Sequence, residues 1–180
     1  MHAPSYNINV GQQVTRQKMR IDPRYTAIVL LVVLCCGCKP TAKDYRFSAR
    51  QKYERGDYAG AITDYTEVLR LKPDDQEAYT FRGIARAHKW DFDGGIADCT
   101  AAIRLNPSYP GYLARGDIRH KKGDESGAIA DFTQAILFKP DSASAYFNRG
   151  VSRKAQGNYK EAITDLTESI RLNQNQAEAY

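Results

Sequence analysis

The stretch GAITDYTEVLRLKP, residues 60–73, decides the fold. Ile62, Tyr65, Leu69 and Leu71 recur along it at helical spacing, and Pro73 stops the run. The stretch returns as GGIADCTAAIRLNP (94–107), GAIADFTQAILFKP (127–140) and EAITDLTESIRLNQ (161–174), at steps of 34, 33 and 34 residues. A second block precedes each: YRFSA (45–49), YTFRG (79–83), YLARG (112–116) and YFNRG (146–150). The 33-residue step predicts a shortened loop at Pro107–Gly111.

Each repeat therefore offers two helical windows and no competing strand pattern. Asp57, Asp91, Asp124 and Asn158 stand where the second helix needs an N-cap, and Gly56, Gly123 and Gly157 stand where the first needs a C-cap. Small residues recur where two helices must approach closely: Ala61, Gly83, Gly95, Gly116, Ala128, Gly150 and Ala162. A helix pair cannot bury its apolar stripe alone, so the pairs must stack into an all-α solenoid.

The pattern is similar to that of the tetratricopeptide repeat (TPR) family: an aromatic, then x2-L-G, later A-x3-F, then P. Repeat three carries it as Tyr112-x2-Arg115-Gly116, Ala128-x3-Phe132 and Pro140; repeat four as Tyr146-x2-Arg149-Gly150 and Ala162-x3-Leu166. Arg stands for the usual Leu, Ala49 for Gly in repeat one, and Gln174 for the last Pro. The resemblance implies a right-handed α-solenoid of four helix-turn-helix repeats within 44–176, at about 42–75, 76–109, 110–142 and 143–176. Residues 177–180 would open a fifth repeat, truncated at Tyr180.

The resemblance also implies that the first helices line a concave groove which grips a peptide or partner helix. By matching position the groove residues are Arg46, Arg50, Tyr53, Thr80, Ile84, Leu113, Asp117, Phe147, Val151 and Lys154. This surface reads as basic at repeat one and apolar at repeats three and four, which suits an amphipathic partner with an acidic stretch. A clamp for a chaperone's C-terminal carboxylate is not expected. Of its positions only Asn148 matches, while Phe81 and Ala114 fill the others.

Two charged columns run through the repeats. Asp64, Asp98, Asp131 and Asp165 occupy one second-helix position; Lys52, Arg86, Arg119 and Arg153 occupy one first-helix position; Arg82, Arg115 and Arg149 precede the glycine, with Ser48 in repeat one. The matched counts predict that each Asp binds the base of its own repeat. They also predict that Asp64, Asp98 and Asp131 reach Arg82, Arg115 and Arg149 of the next repeat, leaving Asp165 for a fifth. If exposed, such pairs contribute about 0.2–1 kcal/mol each. The weaker reading is a basic stripe for phosphate or nucleic acid.

The amino-terminal 38 residues differ in kind. AIVLLVVLCC (27–36) is too short to span a bilayer, which takes about 20 residues, but suits the apolar region of a signal peptide. With Arg20 and Arg24 before it and Cys36-Gly37-Cys38 after it, the segment resembles a bacterial lipoprotein signal. Cys35 departs from the Leu usual three residues before the lipidated cysteine. The resemblance implies cleavage before Cys38, acylation of Cys38, and an extracytoplasmic, membrane-anchored product. Lys39 after the cysteine favours the outer membrane by family analogy. An uncleaved short anchor is the alternative. Met1–Lys18 reads as a start-site error or leader, Met19 as a natural start, and residues 39–43 as a tether.

The net charge of +5 is largely a property of this segment, because four of the 26 basic residues and one of the 21 acidic residues lie in 1–38. The body carries no strong call for a polyanion. Three of the four cysteines fall in the signal, so no disulfide framework is available, and His2, His88 and His120 form no ligand spacing with them. No G-x-G-x-x-G, Walker, G-x-S-x-G or H-E-x-x-H motif occurs. Cys99, at the apolar position of Tyr65 and Phe132, reads as buried and inert. Trp90 stands where other repeats have glycine; it marks either a differently shaped turn packed on Phe92 or an aromatic contact site on the loop edge.

The expectation is a non-enzymatic scaffold with no cofactor, metal, nucleic acid or small-molecule substrate. Its partners would be a protein or peptide, and the membrane through the lipid. Family analogy points to envelope assembly. The alternative is a targeting fragment of a larger TPR-containing enzyme of glycosyltransferase or kinase type.

Overall fold

The computed structural model describes the backbone of residues 39–178 and the side chains as far as Gln174. The leader, the signal and Cys38 lie outside the described residues. Within the described residues there are eight helices and no strand: α1 Ala42–Glu54, α2 Tyr58–Leu71, α3 Gln76–His88, α4 Phe92–Leu105, α5 Tyr109–Lys122, α6 Glu125–Phe138, α7 Ala143–Ala155 and α8 Tyr159–Glu178. Each helix packs on its neighbours in sequence, and α3, α5 and α7 also touch in succession. None of the described helices is long and apolar enough to cross a membrane.

The boundaries follow local chemistry. Asp57, Asp91 and Asp124 accept hydrogen bonds from the backbone N–H groups of Gly60, Gly94 and Gly127, each at 2.9 Å. Thr41 and Asp44 form a capping box at α1, so helix begins at Ala42 and the expected 39–43 tether shortens to Lys39 and Pro40 before that cap. Lys72, Asn106 and Lys139 leave the second helices in extended conformations, φ −140°, −155° and −140°. A following proline excludes the helical region for each of them. The loop Asn106–Ser108 is one residue shorter than its counterparts and accounts for the 33-residue step.

The expected fifth repeat does not open at residue 177. Where Pro73, Pro107 and Pro140 halt the other second helices, repeat four has Gln174, and α8 continues through to Glu178.

Within a repeat the two helices cross at the small residues. A Cβ on Gly83 would lie 2.8 Å from the Gly95 carbonyl oxygen, and one on Gly95 would lie 2.8 Å from that of Gly83. Here α3 and α4 touch backbone to backbone. Between repeats the large second-helix residues pack on small first-helix residues of the next repeat. Tyr65, Val68 and Leu69 meet Ala78 and Ala85; Cys99 meets Ala114 and Ile118; Ala135 and Ile136 meet Ala145. Burial pushes the Cys99 thiol up to about 12, so it stays protonated.

The first-to-second helix turns bend alike in repeats one to four. Gly56, Gly123 and Gly157 have φ of 80°, 89° and 81°, and Trp90 has φ 65°. The N–H of the next residue donates back to the first helix in every case: Asp57 to Lys52, Asp91 to Arg86, Asp124 to Arg119, Asn158 to Arg153. Trp90 therefore adopts the glycine turn rather than a different one. It meets the Phe92 ring edge-on at 5.8 Å yet remains 81% exposed. A left-handed conformation costs a side-chain-bearing residue about 1–2 kcal/mol, and so little burial does not offset it. Trp90→Gly should raise unfolding stability by about 1 kcal/mol, read from the urea midpoint at constant m. A lower midpoint would show that the indole contributes more packing than its exposure indicates.

Candidate functional site

Two sets of first-helix residues need a structural account: the charged columns and the groove positions. In the columns, Arg82 embraces Asp98 of its own repeat, with Nε donating to Oδ2 at 2.9 Å and Nη2 to Oδ1 at 2.7 Å. Arg115 holds Asp131 at 2.9 and 2.7 Å, and Arg149 holds Asp165 at 2.9 and 2.8 Å. The second base of each repeat joins in: Arg86 reaches Asp98 at 3.0 Å, Arg119 Asp131 at 2.8 Å, and Arg153 Asp165 at 2.7 Å. In repeat one, Ser48 and Lys52 replace the pair and bind Asp64 at 2.6 and 2.7 Å. The own-repeat bases thus bind as expected.

The expected bridges from Asp64, Asp98 and Asp131 to the next repeat's arginine do not form. The reason is geometric: an arginine preceding the glycine lies over the helix that its own repeat folds back, so its fork meets its own Asp. Asp165 consequently needs no fifth repeat. The link between repeats is made instead by threonine. Nη1 of Arg82, Arg115 and Arg149 donates to Thr66, Thr100 and Thr133 of the preceding repeat at 3.2, 3.1 and 3.2 Å. Each guanidinium also lies over its repeat's aromatic ring, Tyr79, Tyr112 or Tyr146, at 5.5–5.7 Å. The Asp-x-Thr spacing in all four repeats was a readable signal for this contact.

The four aspartates are buried, not exposed. Removing one leaves two partly buried guanidinium groups without their main carboxylate, for which about 3–5 kcal/mol, the cost of breaking a fully buried pair, is the upper bound. Asp131→Ala should destabilise the chain by up to that much, read from the urea midpoint. In double-mutant cycles, Arg115 should couple more strongly to Asp131 than to Asp98. The reverse order would restore the inter-repeat wiring. All six arginines are committed to carboxylates, so the columns do not present a free basic stripe.

The groove positions divide. Arg46 ion-pairs with Asp75 and reaches Glu77 at 3.4 Å; Arg50 donates to Glu77 at 2.7 Å and lies 5.7 Å from the Phe81 ring centroid. The expected basic end, with its attraction for an acidic segment, is therefore neutralised by α3. Tyr53 meets His88 at 3.2 Å. Thr80 is buried and donates to the Gln76 carbonyl at 3.0 Å, so it does not line an open surface. Ile84 packs into the cluster around Cys99, and Leu113 into that around Ala135.

Five positions, Leu113 among them, lie on α5 and α7. Leu113 and Asp117 are four residues apart on α5, as Phe147 and Val151 are on α7, so each pair shares a helix face. Asn148 donates to Asp117 at 2.7 Å and ties the two helices. Phe147 is 52% exposed, Leu113 and Val151 are partly buried, and Lys154 is exposed. Burial raises the Asp117 carboxyl above the usual aspartate range, outweighing Lys121 and the Asn148 hydrogen bond. Folded chain then binds a proton more readily than unfolded chain, so this group's contribution to stability falls as pH rises through that window. Asp117→Asn should be more stable than the parent at neutral pH, and the gain should shrink as pH falls from neutral into the ordinary aspartate range. A gain independent of pH would rule out the burial effect.

His120 has partners that spacing did not suggest. Its Nδ1 lies 2.8 Å from Glu125 Oε2 and 3.2 Å from Ser152 Oγ. Both contacts fall on one nitrogen and Ser152 is fully buried, so the trio is no nucleophile relay. It joins α5 to α6 and α7. Among the described residues no cluster of three His, Cys, Asp or Glu side chains could hold a metal ion.

Three family models match the chain. Those described as tetratricopeptide repeat cover residues 48–110 and 143–176, and one described as TPR repeat covers 116–157. No curated protein matches. Among solved structures, the crystal structure of MamA superposes with TM-score 0.75 at 20% identity, covering 83% of this chain and 86% of MamA. The Arabidopsis OM64 TPR domain gives 0.62 at 24% identity, covering 64% of this chain and 96% of that one. The first TPR of Spaghetti (RPAP3), bound to the HSP90 peptide SRMEEVD, gives 0.63 at 23% identity, covering 65% and 94%. These likenesses establish the fold, and the repeats of this chain are tetratricopeptide repeats.

Proposed function

We propose that this chain is a non-enzymatic scaffold, anchored to a membrane on its extracytoplasmic side through acylated Cys38, that holds a partner peptide or helix across α5 and α7. The observation that carries the reading is Phe147. It is a large aromatic on a first helix, half in solvent, one turn from Val151 and next in sequence to Asn148, which binds Asp117. Exposed aromatics flanked by apolar and fixed polar groups are the usual energetic centres of protein interfaces. The peptide-bound Spaghetti domain supports the mode of use, since it shares the fold. The anchor is supported by the apolar run 27–36 and by Gly37 before Cys38.

The partner segment is apolar at its anchor and makes hydrogen bonds to the amide–carboxylate pair. It needs no acidic stretch opposite α1, because Glu77 and Asp75 already neutralise Arg46 and Arg50. A photo-crosslinking residue at Phe147 should capture a discrete partner in intact cells, while the same residue at Leu137, exposed on α6, should not. Capture should fall when Cys38→Ser releases the chain from membranes. Equal capture at both positions would sink the groove reading, and unchanged membrane retention of Cys38→Ser would sink the anchor.

A further inference from the structure

The two long edges of the solenoid differ in chemistry. On one edge each first helix turns into the second helix of its own repeat. These turns, at 55–57, 89–91, 123–124 and 156–158, carry glycine and polar residues, and Trp90 is the one large apolar side chain in them. On the other edge each second helix ends and the next first helix begins. The loops there, at 72–75, 106–108 and 139–142, form one row. Arg46 ion-pairs with the cap residue Asp75, Gln76 donates to the Asn106 carbonyl at 2.8 Å, and the Tyr109 hydroxyl meets Ser142 at 2.8 Å.

This loop edge is tipped with apolar side chains. The last residue of α2, α4 and α6 is exposed in each case: Leu71 at 42%, Leu105 at 46% and Phe138 at 49%, with Leu137 before it at 68%. The extended residue and the proline that follow each helix carry the chain aside, so the next first helix does not cover these tips. Bases flank them: Arg70 and Lys72 beside Leu71, Arg104 beside Leu105, Lys139 beside Phe138. Arg70 shares its charge with Glu67, and the exposed acids of the three loops are Asp74 and Asp141. Apolar tips between Lys and Arg stems suit the boundary between lipid tails and headgroups, where the stem lies in the apolar layer and the charge reaches the phosphates.

We propose that this loop edge lies on the bilayer surface, with Leu71, Leu105, Leu137 and Phe138 at headgroup depth. The inference rests on the anchor at Cys38 proposed above. Cys38 stands three residues before the α1 cap Thr41, and a chain of that length spans at most about 11 Å. First helices begin on the loop edge, so the acyl group can hold that edge no farther than this from the lipid. The turn edge lies a further ~20 Å away, the length of the 13-residue α1. Tethering raises the effective concentration of lipid at the tips, so a few side chains too weak to bind a membrane alone settle in it once the acyl group is inserted. Trp90 then faces away from the membrane.

The test reconstitutes the full acylated chain into vesicles of phosphatidylcholine and phosphatidylglycerol, either plain or brominated on the acyl chains close to the headgroups. Bromine quenches tryptophan emission at short range. Trp90 is the only tryptophan, so the parent chain reports the turn edge. The double variant Trp90→Gly, Leu137→Trp reports the loop edge. Its emission should shift to the blue on plain vesicles and fall severalfold on brominated ones, while the parent's should change little. Adding Leu71→Glu and Leu105→Glu, both at exposed positions, should restore much of the lost emission and leave helical content and vesicle flotation unchanged. The proposal is overturned if the chain floats with the vesicles but both reporters are quenched alike, or neither is, or the two glutamates change nothing. Blue-shifted emission from the Leu137→Trp reporter before lipid is added would assign the edge to protein contacts, with the same consequence. A chain that does not float loses its anchor reading and this inference with it, so flotation separates the two failures.

Discussion

A buried carboxylate in each second helix is the constraint on which this solenoid depends. Asp98, Asp131 and Asp165 lie at the crossing of their repeats' two helices, where water cannot solvate them. An ionised group there is tolerable only with full compensation. Each receives a two-pronged guanidinium from the residue before the glycine and a third donor from the base one turn later. The aspartate thus fixes the rotation of the first helix relative to the second, because only one register brings both bases to it. Glycine or alanine at the crossing permits the approach, and the ion network selects its angle. Repeat one keeps the geometry with a hydroxyl and a lysine, which shows that the acceptor must be satisfied but not by one fixed donor.

The same arginine passes the constraint from repeat to repeat. Its fork is spent on its own Asp, its outer nitrogen reaches back to the preceding threonine, and its face lies on its own tyrosine. One side chain therefore sets both the angle within a repeat and the stacking between repeats. This explains why the column is arginine rather than lysine: an ammonium cannot present a planar fork and a further directed donor together.

Function on this frame falls to the residues that the frame does not use. Arg46 and Arg50 bind α3, and Thr80 is inside, so half of the first-helix surface is occupied with holding the molecule together. Phe147, half in solvent on α7, has no such duty. Trp90 is the other outlier: it sits in a glycine turn with most of its surface in water, a conformation whose cost nothing in the fold repays. Uncompensated strain of this kind concentrates at surfaces that act on something else.

The sequence by itself determined the all-α repeat fold, the helix count among the described residues and the pairing of Lys52, Arg86, Arg119 and Arg153 with the aspartate of their own repeat. Caps, prolines and the 34-residue period are local signals, and local signals survive reading one residue at a time. The recurrence of acid and base marked the charged residues that pair, but not the partners of Arg82, Arg115 and Arg149, which were expected in the preceding repeat and bind their own. Tertiary structure alone decided which repeat each arginine serves. Sequence spacing says which residues share a helix face but not which neighbouring helix that face meets, and Arg82 stands between Asp64 and Asp98. The fate of Arg46 and Arg50 was equally hidden, because Asp75 caps and Glu77 opens the first helix of the next repeat, and only stacking brings them within reach. Trp90's turn was decided by backbone hydrogen bonds, its own N–H to the Ala87 carbonyl and that of Asp91 to the Arg86 carbonyl, which override the preference of its side chain. The continuation of α8 past Gln174 came from the opposite cause: no proline stood there to enforce the break that periodicity predicted.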